Sequence, residues 1–231
     1  MTKTVTVTGE FLRTLATDRE FLDAIRNSAG QSRRDNTERY FFVYKELDTD
    51  GYTISNMREG TSNTEYGTRN IGKEEVRRAL SIDAEQYGSI VPVYFVHSHY
   101  GSVSPSPDDL QLFNEFPFPI VNGTAGYVKG GYHLFQCRQT SPLTKSQVSE
   151  AFRKMQEKLS EEASKVRGKN NKRLLREAKY ILNDPKWGRI EAARLRESGH
   201  YIAYLFPLTT RGFSEQDLQR MEEFAFSMEL T

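Results

Sequence analysis

Cysteine is nearly absent: Cys137 is the sole example in 231 residues. One thiol excludes an intramolecular disulfide framework and a cysteine-based zinc knuckle, and it fits a reducing compartment. Cys137 lies in the strand-like run Tyr132-His133-Leu134-Phe135-Gln136-Cys137, which reads as a buried structural thiol rather than a nucleophile. Long apolar runs are also missing, since nothing approaches the roughly 18 residues that a bilayer-spanning helix needs. The N-terminus, Met1-Thr2-Lys3-Thr4-Val5-Thr6-Val7-Thr8, alternates like a strand and does not read as a signal peptide. The expectation is a cytoplasmic protein with no membrane role. An excess of one charge is lacking too, with 32 Lys and Arg against 31 Asp and Glu. The overall balance therefore gives no pull toward nucleic acid or anionic membrane. Neither G-x-G-x-x-G nor the complete G-x-x-x-x-G-K-[ST] motif occurs, since Glu74 follows Gly72-Lys73 where Ser or Thr is required. The G-x-S-x-G elbow is absent as well. Nucleotide and serine-esterase chemistry thus find no support.

What the chain does have is apolar and aromatic material: 37% hydrophobic residues, with 14 Phe and 12 Tyr. That suits one large domain, or a core with an appendage. Phe11, Leu15, Phe21, Leu22 and Ile25 predict a helix ending near Gly30, followed by a polar loop from Gln31 to Thr37. Arg39-Tyr40-Phe41-Phe42-Val43-Tyr44 predicts a strand. Asp48-Thr49-Asp50-Gly51 predicts a hairpin turn, and Tyr52-Thr53-Ile54-Ser55 the returning partner. Residues 58 to 72 read as a loop and Glu74 to Leu80 as a short helix. Ile120-Val121 and the run ending at Cys137 supply further strands, with Gly126, Gly130 and Gly131 marking the turn between them. This succession predicts an α/β layer fold, a mixed β-sheet flanked by helices.

The chemistry concentrates between residues 97 and 109. Ile90-Val91-Pro92-Val93-Tyr94-Phe95-Val96 predicts a buried strand. If the strand continues, His97 and His99 lie two residues apart and project from one face. Ser106-Pro107-Asp108-Asp109 reads as a helix start, with Ser as N-cap and Pro at the first helical position. Asp109 then falls in the first turn and can point back at the strand end. Two imidazoles and a carboxylate make a three-ligand set with a fourth position left for water, the pattern of a catalytic zinc. Such a hydrolase also needs a general base. Ser-x-x-Asp recurs at Ser214-Glu215-Gln216-Asp217, far from any histidine pair, where it reads only as a helix start. His133 and His200 sit in strand-like or aromatic surroundings and read as packed residues outside the site.

His97-x-His99, a short loop, and Ser106-x-x-Asp109 resemble the signature of the JAMM metallopeptidases, the catalytic branch of the MPN (JAB1/Mov34/PAD-1-like) family. The loop is one residue shorter than the usual pattern, and Tyr100 stands where a proline commonly follows the second histidine. The resemblance covers about residues 1 to 140. It implies an MPN-like (cytidine-deaminase-like) sheet and a Zn2+ ion on His97, His99 and Asp109, with Asp108 as the neighbouring alternative. It also implies a catalytic glutamate beside an early strand. Glu38, immediately before the Arg39 run, fits that role, while Glu46 at the far end of the run competes. Glu65 lies in a turn-rich stretch closer to the histidines. Tyr40 and Phe41 occupy the region where the family usually shows glycine after the glutamate. Ser106 is implied as an oxyanion donor, and residues 58 to 72 as neighbours of the substrate groove. The implied reaction is hydrolysis of a peptide or isopeptide bond, at the C-terminal tail of a ubiquitin-like protein or its conjugate. The alternatives are a metal-free MPN scaffold and a DNA-repair-associated JAMM-like protein that binds nucleic acid.

From Leu143 the character changes. Val148, Phe152, Met155 and Leu159 are spaced three and four apart and predict an amphipathic helix over Ser146 to Lys165. Lys165, Arg167, Lys169, Lys172, Arg173, Arg176 and Lys179 are opposed only by Glu177. This stretch reads as a solvated helix surface in preference to a patch for an acidic partner, so nucleic acid is not expected as a partner. Arg189 to Arg196 predicts another helical segment, His200 to Phe206 a strand, and Ser214 to Met228 a capped terminal helix. The division is a catalytic core over residues 1–142 and a helical extension over 143–231, whose strand and terminal helix can pack back on the core. Residues 143 to 198 then form either an inserted helical hairpin or a separate subdomain.

Overall fold

The structure, a computed structural model, describes residues 3–49, 51–63, 69–114, 116, 119–166 and 184–230. Strand β1 (Lys3–Val7) leads into two helices, α1 (Gly9–Thr17) and α2 (Arg19–Asp35), where a single helix ending near Gly30 is expected. Asp18 makes the break: it is extended, and its side chain accepts from Phe21 N to start α2. α2 then runs through the segment that reads as a loop, until Asn36 stops it in the left-handed conformation (φ 57°). Ser28, Ala29 and Ser32 are buried on its inner face. Packing thus overrides the polar look of residues 31 to 35.

β2 (Arg39–Glu46) and β3 (Tyr52–Ile54) form the expected hairpin. Inside the segment that reads as a loop, β4 (Arg58–Glu59) pairs with β2, and β5 (Ser62–Asn63) with β6 (Arg69–Asn70). α3 (Lys73–Tyr87) outruns its expected end at Leu80. β7 (Ile90–Ser98) and α4 (Pro107–Asn114) follow, then β8 (Val121–Val128) and β9 (Gly131–Gln139). Gly126, read as a turn residue, lies inside β8; the turn falls at Lys129 and Gly130, both at positive φ. α5 (Lys145–Val166) and α6 (Pro185–Glu197) precede β10 (Tyr201–Leu208), α7 (Glu215–Glu222) and β11 (Phe226–Leu230). The terminal helix expected to reach Met228 therefore stops at Glu222. Phe226-Ser227-Met228-Glu229-Leu230 alternates instead as a strand, antiparallel to β1 with Val5 opposite Met228.

The main sheet runs β10-β9-β8-β7-β2-β3, with β7 and β8 parallel and the other neighbours antiparallel. It is a mixed α/β sheet flanked by helices. One face carries Phe41, Val43, Val96 and Val121 against Phe11, Leu15, Phe21 and Ile25 of α1 and α2. The other face has two clusters. Tyr40, Phe42, Tyr44 and Phe95 meet Val76 and Ala79 of α3. Phe135, Cys137, Ala203 and Leu205 meet Val148 and Met155 of α5 and Ala192 and Leu195 of α6. Because β10 pairs with β9, the sheet continues past residue 142, and α5 and α6 are an excursion between neighbouring strands. Residues 167 to 179 of the basic stretch, and Glu65, lie outside the described residues.

Candidate metal centre

β7 places the histidines. Phe95, His97 and His99 share a face by the two-residue period, and the His97 ring stacks on Phe95 at 5.4 Å. The strand end is fastened on both sides. His99 N donates to Ala125 O at 3.0 Å, while Ser98 points to the opposite face, where its Oγ lies 2.5 Å from Ser32 Oγ and accepts from Arg39 N at 2.9 Å.

α4 brings the carboxylate. Ser106 Oγ accepts from Asp109 N at 3.2 Å, and Ser106 N donates to Asp109 Oδ2 at 2.6 Å. This reciprocal cap fixes Asp109, while Asp108 faces solvent. His97 Nε2, His99 Nε2 and Asp109 Oδ2 form a nearly equilateral triangle. His97 to His99 is 3.2 Å, and Asp109 stands 3.3 Å from His97 and 3.1 Å from His99. The edge of a tetrahedron with metal–ligand bonds of about 2.0–2.1 Å is about 3.3 Å, so the donor atoms are spaced to share one small ion. Among the described residues, these three form the cluster able to hold a metal.

The charges couple tightly. Burial pushes the His99 imidazole down, but the Asp109 and Glu38 carboxylates outweigh it and raise the ring to about 9. Burial likewise pushes Asp109 up, and the two imidazoles overcome it, holding the carboxyl well below its ordinary range. The cluster thus favours an ionised carboxylate.

Glu38 reaches the site through register. Tyr40 is opposite His97 in the antiparallel β2–β7 pair, so two residues earlier Glu38 stands across from His99 on the same face. Its backbone is held by Arg69 O and Gly60 N, each at 2.8 Å. Its Oε2 accepts from Ile71 N at 3.1 Å, and its Oε1 lies 3.7 Å from His99 Nε2. Glu46 sits at the other end of β2, where Thr49 and Thr53 hydroxyls donate to its carboxylate. His133 bonds the Gly131 carbonyl and is pushed down by burial, and His200 precedes β10; neither joins the cluster.

Several neighbours were not foreseen. Thr124, opposite His97 on β8, brings its Oγ1 to 3.5 Å from His97 Nε2. Ser102 Oγ lies 3.5 Å from His99 Nδ1. Ser104, which makes a backbone hydrogen bond with His99, donates from its hydroxyl to Glu191 of α6. Gln156 of α5 donates to the same carboxylate at 2.6 Å. The inserted helices therefore hold the loop that joins His99 to Asp109. Strand periodicity could have suggested Thr124, but nothing local could pair residue 104 with residue 191.

No family model matches the chain, and no curated protein does. Among solved structures, the chain is similar to the solution structure of protein DSY2949 from Desulfitobacterium hafniense, at 12% identity and a TM-score of 0.36 over 52% of this chain and 80% of that one.

Proposed function

We propose that the chain is a zinc-dependent JAMM-like peptidase or isopeptidase, built on an MPN-like variant of its mixed sheet. The observation that carries the reading is the triangle of His97 Nε2, His99 Nε2 and Asp109 Oδ2 with Glu38 beside it. Two imidazoles and one carboxylate suit zinc and leave a coordination position open. Zinc bound there would supply Lewis acidity, lowering the pKa of a water and polarising a carbonyl.

The remaining work falls to side chains. Glu38 lies outside the triangle, with one carboxylate oxygen fixed by Ile71 N and the other facing the site. That suits a group that takes a proton from the attacking water and returns it to the leaving amine. Ser106 orients Asp109 through its backbone N–H. By resemblance, its hydroxyl donates to the developing oxyanion. An extended tail of a ubiquitin-like protein would add backbone hydrogen bonds along a sheet edge, close to the short strands β4, β5 and β6. Action in the cytoplasm fits the chain's single cysteine.

Elemental analysis of purified wild type beside His97→Ala tests the reading. About one zinc per chain is expected in the wild type and little in the variant, since loss of one of three ligands removes a large share of the affinity. No zinc in either after reconstitution would overturn the peptidase reading and leave a metal-free scaffold.

A further inference from the structure

The inner stripe of α6 is Gly188, Glu191, Ala192 and Leu195, spaced three and four apart as on a helix face turned to the core. Three of these suit an apolar interior. Glu191 does not, yet it is only 3% exposed. Among the described residues no cation stands beside it, and each carboxylate oxygen takes one neutral donor. Oε2 accepts from the Ser104 hydroxyl, and Oε1 from Gln156 Nε2 of α5 at 2.6 Å. Burial pushes the carboxyl up against these two donations. An apolar side chain of similar volume would avoid the desolvation cost, so packing alone does not account for a carboxylate here.

What the carboxylate holds is the loop that backs His99. The backbone of Ser104 hydrogen-bonds the His99 ring. Ser102 Oγ donates to Ser104 O at 3.4 Å and lies 3.5 Å from His99 Nδ1. The other ring nitrogen, Nε2, stands 3.1 Å from Asp109 Oδ2 and 3.2 Å from His97 Nε2. One side of the imidazole thus meets the loop, and the other meets the candidate ligands. A ligating histidine is oriented by the partner of its second nitrogen, and loss of such partners typically costs about 10–100-fold in metal affinity.

We propose that Glu191 is a positioning residue for the metal centre: its hold on Ser104 sets the loop against His99 Nδ1 and so presents Nε2 to the ion. The inference rests on the metal-binding reading of His97, His99 and Asp109. It gives the excursion between β9 and β10 a task at the site, because its helices supply both Glu191 and Gln156.

Zinc affinity of the full chain, measured by competition with a chromophoric chelator, tests it, and the melting temperature of the metal-free protein separates loss of metal from loss of fold. Glu191→Leu and Ser104→Ala should each weaken zinc by about ten-fold or more. Glu191→Gln has the same shape and still accepts from the Ser104 hydroxyl, so it should stay within about three-fold of wild type. The double variant Ser104→Ala/Glu191→Leu should lose no more than either single change, as two members of one link do. Should Glu191→Leu fold poorly, Ser104→Ala decides. The inference is overturned if the single variants hold zinc as the wild type does, or if their losses add in the double variant. It is equally overturned if Glu191→Gln is as weak as Glu191→Leu, which would make charge rather than the hydrogen bond the cause. A wild type that takes no zinc would overturn the metal-binding reading as well, whereas zinc held equally by wild type and variants would overturn this inference alone.

Discussion

Glu38 shows how a single residue becomes interpretable only across a strand pair. In sequence, Glu38 and Glu46 flank the same apolar run, and composition gives no reason to choose between them. The pairing of Tyr40 with His97 separates them in space: it carries Glu38 to His99 and Glu46 to the β2–β3 hairpin. Glu38→Gln should therefore retain zinc, because the side chain lies outside the triangle, while hydrolysis of a ubiquitin-like fusion falls by roughly 10²–10⁴-fold, the usual worth of a positioned base. Retained activity in that variant would move the role elsewhere. Asp109 could be chosen over Asp108 from Ser-x-x-Asp spacing because capping is local physics. Glu191 could not be anticipated, since its partner Ser104 is 87 residues away. Burial raises the Glu191 carboxyl, against the opposing donations from Ser104 and Gln156. A raised carboxyl gives stability that is full below its unfolded pKa of about 4.3 and is lost as pH climbs through the folded value. Glu191→Gln keeps a group of the same shape and has no such titration. Its melting temperature relative to wild type should rise as pH climbs above the unfolded value of about 4.3, read by scanning calorimetry; a difference flat in pH would deny the coupling.

At the scale of elements, the strands of the main sheet were more legible than the helix boundaries. The β7 run declares itself by β-branched and aromatic residues, and the β2–β3 hairpin by its turn. Misread boundaries were those set by distant contacts. α2 persists past Gly30 because its inner face packs on the sheet, and residues 226 to 230 become β11 because β1 offers a partner. Gly126 belongs to this class. A glycine between predicted strands suggests a turn, yet here it makes room for another segment: a Cβ at Gly126 would stand 2.4 Å from Ser102 O and 2.6 Å from Val103 Cγ1. The loop joining His99 to Ser106 can lie against β8 only because that side chain is missing. Gly126→Ala should push the loop outward, costing about 1–3 kcal/mol of stability, as overpacking commonly does. It should also release zinc to a competing chelator sooner than wild type. An unchanged melting temperature and unchanged zinc retention would mean the loop is not held by this contact.

The whole molecule turns on whether residues 143 to 198 form a part of the core or an attachment to it. The change in character at Leu143 suggests a boundary, but the packing does not respect it. α6 lies so close to the sheet that a Cβ at Gly188 would stand 2.9 Å from Val103 Cγ2 and 3.1 Å from Leu205 Cδ2. Ala192 and Leu195 are buried with Phe135 of β9 and Leu205 of β10, and Met155 of α5 is fully buried in the same cluster. Glu191 adds the polar tie to the loop between the proposed ligands. Such a shared core leaves no surface along which α5 and α6 could separate without exposing apolar area on both sides. The chain supplies its own reporter, because its single tryptophan, Trp187, lies in α6. In urea titrations, Trp187 fluorescence and far-ultraviolet circular dichroism should trace one coincident transition, the signature of a single cooperative unit. Adding zinc should move both curves together to higher urea, since binding to the native state alone stabilises everything that unfolds with it. Tryptophan fluorescence that changes first, while the dichroism of the sheet persists and zinc displaces only the second transition, would show instead that the helices are a subdomain whose folding the metal site does not need.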